Sequence, residues 1–144
     1  MNIASRDAQA LFIVWSDAYS IGIQAMDRQH QEILASINEL HQARRHGETS
    51  PMLDDILRRL DEQTRQHFFA EEGLLMRHNY PEFREHKAMH DRMIDKTFAL
   101  RLSVRDGELP QATLRTLRDW WLHHIMGCDI SYVPFVTQSA VAAS

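Results

Sequence analysis

Three clusters of helix-breaking residues divide the chain after residue 23 into four segments of helical length. The clusters are HGETSP at 46–51, HNYP at 78–81 and DGELP at 106–110, and runs rich in glycine, proline and asparagine interrupt helices. No segment carries the alternation of apolar and polar residues that predicts a strand. Because short connections join antiparallel neighbours, the sequence predicts an all-α, up-down-up-down four-helix bundle.

We expect this bundle to be a single domain with an extension at each end. The chain has 144 residues, 44% of them hydrophobic and 25% charged, which is ordinary for one globular domain. Residues 1–23 are expected to form an extended N-terminal loop that packs on the bundle, and residues 24–135 the bundle itself. Residues 136–144 are expected to form a flexible C-terminal tail.

Ionisable residues occupy core positions where leucine would be expected. Steps of three and four residues keep to one face of a helix, and we call each such face a seam. The four seams are Met26, His30, Ile33, Ile37 and Leu40; Leu53, Leu57, Leu60, Thr64, His67, Glu71 and Leu74; Phe83, His86, His90, Met93, Thr97 and Leu100; and Leu114, Leu117, Trp121, His124 and Cys128. In an up-down-up-down bundle, the ionisable residues of all four seams meet at one end.

A single histidine on an apolar helix face is usually a hydrogen-bonded core residue. Five histidines and a glutamate in one layer are different, because each buried polar group without a partner costs about 1–3 kcal/mol. A whole domain is stable by only about 5–15 kcal/mol. Imidazoles with a bridging carboxylate suit two adjacent first-row metal ions, and the spacing leaves iron, zinc, manganese and cobalt open.

The donor set also bears on the chemistry. Carboxylate-rich di-iron enzymes use Glu-x-x-His motifs, and this chain contains none. A nitrogen-rich site holds less negative charge, which disfavours the high-valent iron of oxygenases. Reversible O₂ chemistry is the milder alternative.

Four parts of the sequence share one ordered pattern of ligand-type residues. They are Trp15, GIQAMDRQH at 22–30, HFFAEEGLLMRHNYPEFREHKAMH at 67–90 and WWLHHIMGCDISYVPF at 120–135. Through them runs the ordered series His, His-x-x-x-Glu, His-x-x-x-His, His-x-x-x-x-Asp. These motifs resemble the hemerythrin family, and within it the bacterial single-domain branch. The resemblance implies a non-heme centre of two iron ions, bridged by an oxo or hydroxo group, that binds O₂.

The resemblance also implies which residues hold the metal. One iron would be held by His86, His90 and His124, the other by His30 and His67, with Glu71 and Asp129 bridging the pair and an open position for O₂ on the second iron. Helical periodicity does not explain Asp129, because residues five apart lie about 140° apart around an ideal helix. Distortion near Gly127 is one explanation, and Asp17 and Asp119 are weaker candidates for this ligand.

Other residues near the ligands have less specific interpretations. A dry pocket for O₂ is expected to be lined by Ile33, Phe68, Trp121 and Ile125. Glu72 is either solvated or a partner of a ligand, and Tyr132 either donates a hydrogen bond at the site or only packs. Asp27 is interpreted as an acidic residue favouring the start of a helix, and Cys128 as buried and unreactive. The histidines expected on the surface or flank are His41, His46, His78 and His123.

The function implied by the resemblance is reversible O₂ binding for carriage, storage or delivery to an oxygen-consuming enzyme. Nitric oxide and small anions such as azide are further expected ligands. The alternatives are sensing of O₂, nitric oxide or redox state, and a di-iron peroxidase or nitric oxide reductase activity. A structural zinc bundle fits poorly, because structural zinc takes four ligands. We expect a monomer that is not primarily an enzyme.

Charge and cysteine content narrow the partners and the compartment. The formal net charge is −4, so there is no basic footprint for nucleic acid or anionic lipid. The apolar run at 10–15 is too short to span a membrane. The single cysteine cannot form an internal disulfide, which agrees with a reducing compartment. Together these features predict a cytoplasmic protein with neither nucleic acid nor membrane as its partner.

Overall fold

A computed structural model describes residues 12–137 of the chain. Its long helices are α1 (Gln24–Arg45), α2 (Ser50–Arg77), α3 (Phe83–Arg105) and α4 (Gln111–His123). Consecutive helices run antiparallel and α4 returns against α1, while no strand occurs in the described part. The predicted all-α four-helix bundle is confirmed.

The helices end where the breaker clusters predicted. A residue in the left-handed conformation lies in each connection, namely Gly47 (φ 69°), Asn79 (φ 52°) and Gly107 (φ 86°). Left-handed residues terminate helices because they turn the chain away from the helix axis, and glycine and asparagine adopt this conformation most readily. After the first connection, α2 begins at an N-cap, where the Thr49 hydroxyl accepts a hydrogen bond from the Met52 N–H at 3.4 Å.

The predicted seams form the core, with three departures. Leu74, Phe83 and Cys128 are half-buried rather than buried, and Leu75 takes the fully buried position expected for Leu74. A seam counted in strict sevens drifts about 20° per heptad on a straight helix. Over the length of α2 this drift moves the buried face by one residue.

The described part of the N-terminal loop, residues 12–23, lies on the bundle and is fastened to α1 at two points. The Asn38 amide bonds both backbone groups of Ile13, accepting from its N–H at 2.8 Å and donating to its carbonyl at 2.6 Å. The Asp27 carboxylate accepts from the Ser20 hydroxyl at 2.6 Å and from the Ile21 N–H at 2.9 Å. Asp27 therefore anchors the loop in addition to starting the helix.

This loop overturns one sequence prediction. His41 was expected at the surface but is buried, because the ring of Phe12 stacks on it at 4.2 Å with an interplanar angle of 12°. Burial, with the charges of Arg45 and Arg44, lowers the pKa of His41, so it is a neutral core histidine. His46 and His123 are exposed as predicted, and His78 is half-buried.

Helical structure continues at the other end of the chain through residues 133–137, where Val136 is buried. Helical structure thus includes residues 136 and 137, the first two residues of the predicted tail. The rest of that predicted tail, residues 138–144, and the first part of the predicted loop, residues 1–11, lie outside the described residues. Within residues 12–137, no helix combines the length and hydropathy needed to cross a bilayer.

Replacing Asn38 with alanine should lower the free energy of unfolding of the metal-free protein by about 1–3 kcal/mol, since the backbone of Ile13 loses both partners. Urea unfolding followed by circular dichroism measures the change. Gln31→Ala, at an exposed position of the same helix, is the control and should stay within about 0.5 kcal/mol of the parent. Equal midpoints for the two variants would contradict the anchoring role of Asn38.

Candidate metal centre

All seven residues predicted as metal ligands meet in one layer near an end of the bundle. Each is at most 5% exposed. The layer consists of His30 from α1, His67 and Glu71 from α2, His86 and His90 from α3, and His124 and Asp129 from the turn that follows α4. The structure therefore brings together every residue of the set.

Three of the four helices supply their residues through ordinary α-helical geometry. His67 and Glu71 are four residues apart on α2, and His86 and His90 are four apart on α3, so each pair projects from one face. The antiparallel order places the start of α1 and α3 beside the end of α2 and α4. Helical periodicity thus explains these five positions, and the seam of α4, which runs through Leu117 and Trp121, explains His124 as a sixth.

A π-helical turn explains the seventh. Residues His124–Asp129 continue α4 as a π-helix, in which each N–H bonds the carbonyl five residues earlier. Residues five apart then return to nearly the same face, so Asp129 lies 3.0 Å (Oδ1) from His124 Nε2. A Cβ added at Gly127 would meet nothing closer than 3.8 Å, so the turn does not require glycine there. The carbonyl of Gly127 accepts a hydrogen bond from the Ser131 hydroxyl at 2.6 Å.

The two weaker candidates for the seventh ligand lie away from the buried layer. Asp17 lies in an exposed 3₁₀ turn of the N-terminal loop. Asp119 is exposed and pairs with the guanidinium of Arg118 at 2.8 Å. Neither carboxylate belongs to the buried layer.

Three histidines surround one oxygen from each carboxylate. Glu71 Oε1 lies 2.7 Å from His86 Nε2 and 2.9 Å from His90 Nε2. Asp129 Oδ1 lies 3.0 Å from His124 Nε2 and 3.1 Å from His86 Nε2. We call these three imidazoles the three-histidine group.

The other oxygen of each carboxylate faces a pair of histidines, the two-histidine group. Asp129 Oδ2 lies 3.0 Å from His30 Nε2, and Glu71 Oε2 lies 3.4 Å from His67 Nε2. Burial lowers the pKa of His67 to about 4, so its imidazole is neutral at neutral pH. Each carboxylate is therefore shared between the two groups, as a bridging ligand would be.

Several of these buried atoms have no hydrogen-bond partner among the described residues. They are the Nε2 atoms of His30, His67, His90 and His124 and both carboxylate oxygens of Asp129. They approach one another to about 3 Å without the directions that hydrogen bonds require. Donor atoms bound at about 2.1 Å to one ion, at right angles to one another, have this separation. The unpaired atoms and the nitrogen and oxygen donors thus fit two metal ions.

The outer nitrogens of three of these imidazoles are held by side chains. The acceptors are Glu72 Oε2 at 2.9 Å from His90 Nδ1, Gln29 Oε1 at 2.6 Å from His67 Nδ1, and Met89 Sδ at 3.2 Å from His124 Nδ1. A proton held on Nδ1 leaves the Nε2 lone pair for a metal. Glu72 is thus the partner of a predicted ligand, His90, rather than a solvated residue.

Sequence reasoning missed two of these acceptors, Gln29 and Met89. Each immediately precedes a predicted ligand in the sequence, Gln29 before His30 and Met89 before His90. A residue next to a seam position lies on the flank of the helix, where it faces the neighbouring helix. Polar or sulfur-bearing side chains in that position are the signal that could have identified them.

Tyr132 adds a hydrogen bond to one of the two shared carboxylates. It lies in the 3₁₀ turn Ile130–Tyr132, is fully buried, and donates from its hydroxyl to Glu71 Oε2 at 3.0 Å. Burial and the charge of Glu71 raise the pKa of Tyr132, so the phenol keeps its proton. Of its two interpretations, the hydrogen-bonding one is correct.

In the metal-free protein, protons compensate the buried carboxylates. Burial opposes charge on Glu71, but the facing imidazoles of His86 and His90, the first of them hydrogen-bonded to Glu71 Oε1 at 2.7 Å, outweigh it and lower the pKa of Glu71 to about 2. Burial likewise opposes charge on Asp129, yet the facing His124 holds its pKa well below the usual range. Against the effect of burial, the two carboxylates raise the pKa of His86 to about 9 and that of His124 to about 10. Metal ions would displace these protons.

Aromatic and aliphatic side chains cover the centre. The four residues predicted to line a ligand pocket, Ile33, Phe68, Trp121 and Ile125, are all at most 1% exposed. Phe68 stacks on the His90 ring at 3.7 Å with an interplanar angle of 4°, and on Trp121 at 5.6 Å. These contacts keep the imidazoles in an apolar setting.

Comparison with known proteins gives a consistent result. A family model, the hemerythrin HHE cation binding domain, matches residues 21–136. The bacteriohemerythrin of Pseudomonas aeruginosa strain PAO1 is 34% identical over 128 residues, covering 88% of this chain and 83% of that protein. The bacteriohemerythrin of Methylococcus capsulatus strain Bath is 30% identical over 128 residues, covering 85% and 95%.

Solved structures agree with these sequence relationships. A crystal structure of wild-type hemerythrin superposes with a TM-score of 0.80 and 29% sequence identity. The superposition covers 87% of this chain and 98% of that one. Structures of variants at a leucine numbered 114 in that hemerythrin superpose equally well, with TM-scores of 0.80 to 0.81.

The raised pKa values of His86 and His124 predict how the stability of the metal-free protein depends on pH. Their contribution to the free energy of unfolding is complete below the pKa of histidine in the unfolded chain, about 6.5. It is lost as the pH rises through the folded-state pKa values of about 9 and 10. Urea unfolding at pH 6.5, 8 and 9.5 should therefore give falling midpoints. Asp129→Asn removes the charge facing both histidines, so its midpoint should fall less over this range. An equal decrease of the urea midpoint with pH in parent and variant would contradict the role of Asp129 in raising these two pKa values.

Proposed function

We propose that this chain, which belongs to the hemerythrin family, binds O₂ reversibly at two iron ions held by the buried centre. The observation that carries the proposal is that the two carboxylates are shared by two unequal groups of imidazoles, one of three histidines and one of two. An ion in the three-histidine group would have one protein ligand more than an ion in the two-histidine group. The second ion would therefore keep a position for an exogenous ligand.

The choice of iron follows from family membership, and the donors fit it. Histidine nitrogens and carboxylate oxygens suit iron among the first-row metals, and seven such donors exceed the four of a structural zinc site. When bound, two ferrous ions supply the electrons that O₂ takes up on binding and returns on release. All other contributions come from the chain.

Two kinds of side chain would support reversibility. Tyr132 holds Glu71 through its hydroxyl, which keeps that bridging carboxylate in one orientation. Ile33, Phe68, Trp121 and Ile125 would exclude water and protons from the ligand position, which limits loss of the bound ligand and oxidation of the irons. Their complete burial supports this role.

Binding is proposed over turnover because the donor set is rich in nitrogen. Five imidazoles with two carboxylates hold less negative charge than the carboxylate-rich sites of oxygen-activating bundles. Carriage, storage or delivery of O₂ to an oxygen-consuming enzyme is proposed as the role, with nitric oxide and small anions as additional ligands. We also propose that the protein is a monomer and that it is located in the cytoplasm.

Optical spectroscopy tests O₂ binding directly. The protein is reduced anaerobically with dithionite, freed of reductant and exposed to air, and the metal content of the same sample is measured. Two irons per chain and a visible ligand-to-iron band that disappears under vacuum are expected. Two irons with only a ferric spectrum that vacuum does not change would overturn reversible binding and favour sensing or a peroxide or nitric oxide activity.

A matched pair of histidine variants tests the ligand assignment. His30→Leu places leucine on a buried seam, so the helices should still form while bound iron falls from two per chain to one or none. His41→Leu replaces a histidine that is also buried, at 7% exposure, but packs under Phe12. It should keep both irons. Metal analysis and circular dichroism of both variants decide the matter, and retention of two irons by His30→Leu would exclude His30 as a ligand.

A further inference from the structure

The core layer next to the metal centre contains two polar side chains. Each of its four members is three residues from a histidine of the centre, on the side toward the middle of the bundle. The layer consists of Ile33, Thr64, Met93 and Trp121, all with 0% exposure. Ile33 and Met93 are apolar. Thr64 and Trp121 each carry a hydrogen-bond donor, a hydroxyl and an indole N–H.

Neither donor has a partner in the described part of the chain. Trp121 Nε1 and Thr64 Oγ1 are buried and make no hydrogen bond there. A threonine in a helix commonly bonds the carbonyl four residues earlier. Thr97 does so, donating to the Met93 carbonyl at 3.0 Å, whereas Thr64 does not. Because buried polar groups nearly always find partners, two unpaired donors in one layer indicate that something absent from the polypeptide satisfies them.

The positions of these donors relate them to the two-histidine group. The Trp121 ring lies 6.2 Å from the ring of His67 and 6.0 Å from that of His124. Thr64 lies one turn before His67 on α2. Trp121 thus lies between the two-histidine and three-histidine groups, and Thr64 adjoins the two-histidine group, which would keep an open coordination position.

We propose that the Trp121 indole N–H and the Thr64 hydroxyl form a hydrogen-bonding subsite for the small ligand at that open position. The inference rests on the proposed function and extends it to ligand preference. Two donors favour a ligand whose outer atom accepts hydrogen bonds or carries negative charge, such as a small linear anion. A hydrogen bond to a charged group is worth about tenfold or more in affinity.

Azide is the probe for the experiment, added to the protein loaded with two ferric ions and followed by visible absorption. Trp121→Phe removes the N–H and keeps an aromatic ring, and Thr64→Val removes the hydroxyl and keeps the shape. Each should weaken azide binding about tenfold or more. The controls are Trp120→Phe, at a half-buried residue that packs under Lys96, and Thr97→Val. Both should bind within about twofold of the parent.

The direction of the Trp121→Phe effect separates hydrogen bonding from space filling. Phenylalanine is smaller than tryptophan, so a tryptophan that only fills space predicts unchanged or tighter azide binding in the variant. A second readout uses the metal-free protein. Thr97→Val should lower its urea midpoint because a hydrogen bond is lost, while Thr64→Val should leave the midpoint unchanged or raise it.

The outcomes distinguish this inference from the function on which it rests. If the parent binds azide and both Trp121→Phe and Thr64→Val bind it equally well, the subsite is overturned and the centre stands. A lower urea midpoint for metal-free Thr64→Val would show a structural partner for the hydroxyl and would also overturn the subsite. If the parent holds two irons but binds neither azide nor O₂, the proposed function fails and the subsite fails with it.

Discussion

The burial of two ionised carboxylates among five imidazoles is the constraint on which the rest of the structure depends. An uncompensated charge in a protein interior costs more than the whole net stability of a domain. Glu71 and Asp129 are fully buried, so every helix must bring a positive or metal-binding partner to the same height. The antiparallel order that the short connections impose brings such partners from all four helical segments into one layer.

The remainder of the bundle offsets the cost of this polar layer. Away from the centre the seams are mostly apolar, with residues such as Leu40, Leu57 and Leu114 completely buried, and burial of a leucine-sized side chain contributes about 1.5–3 kcal/mol. The π-turn at the end of α4 exchanges regular helical geometry for the placement of Asp129. Such turns occur frequently at functional sites.

The surroundings of the centre divide into an outer and an inner side. On the outer side, acceptors of different chemistry hold the imidazoles, a carboxylate at Glu72, an amide at Gln29 and a thioether at Met89. Stronger acceptors make a metal-bound imidazole more basic, so the two ions would be tuned unequally. On the inner side, Trp121 and Thr64 offer donors without protein partners. The outer side thus orients the imidazoles, while the inner side offers the donors of the proposed subsite.

By itself the sequence determined the number of helices, their ends and six of the seven residues of the centre, because those features depend on local periodicity and on breaker residues. Other features depend on contacts between distant segments, which periodicity does not record. His41 is buried only because Phe12 of the loop lies on it, and the seam of α2 reaches Leu75 because drift accumulates along the helix. The family resemblance supplied Asp129, but only the tertiary structure decided how a π-turn aims it at the same point as His124. A helix departs from its regular repeat only where packing and shared ligands compensate the lost α-helical hydrogen bonds, and that balance is set by the whole bundle.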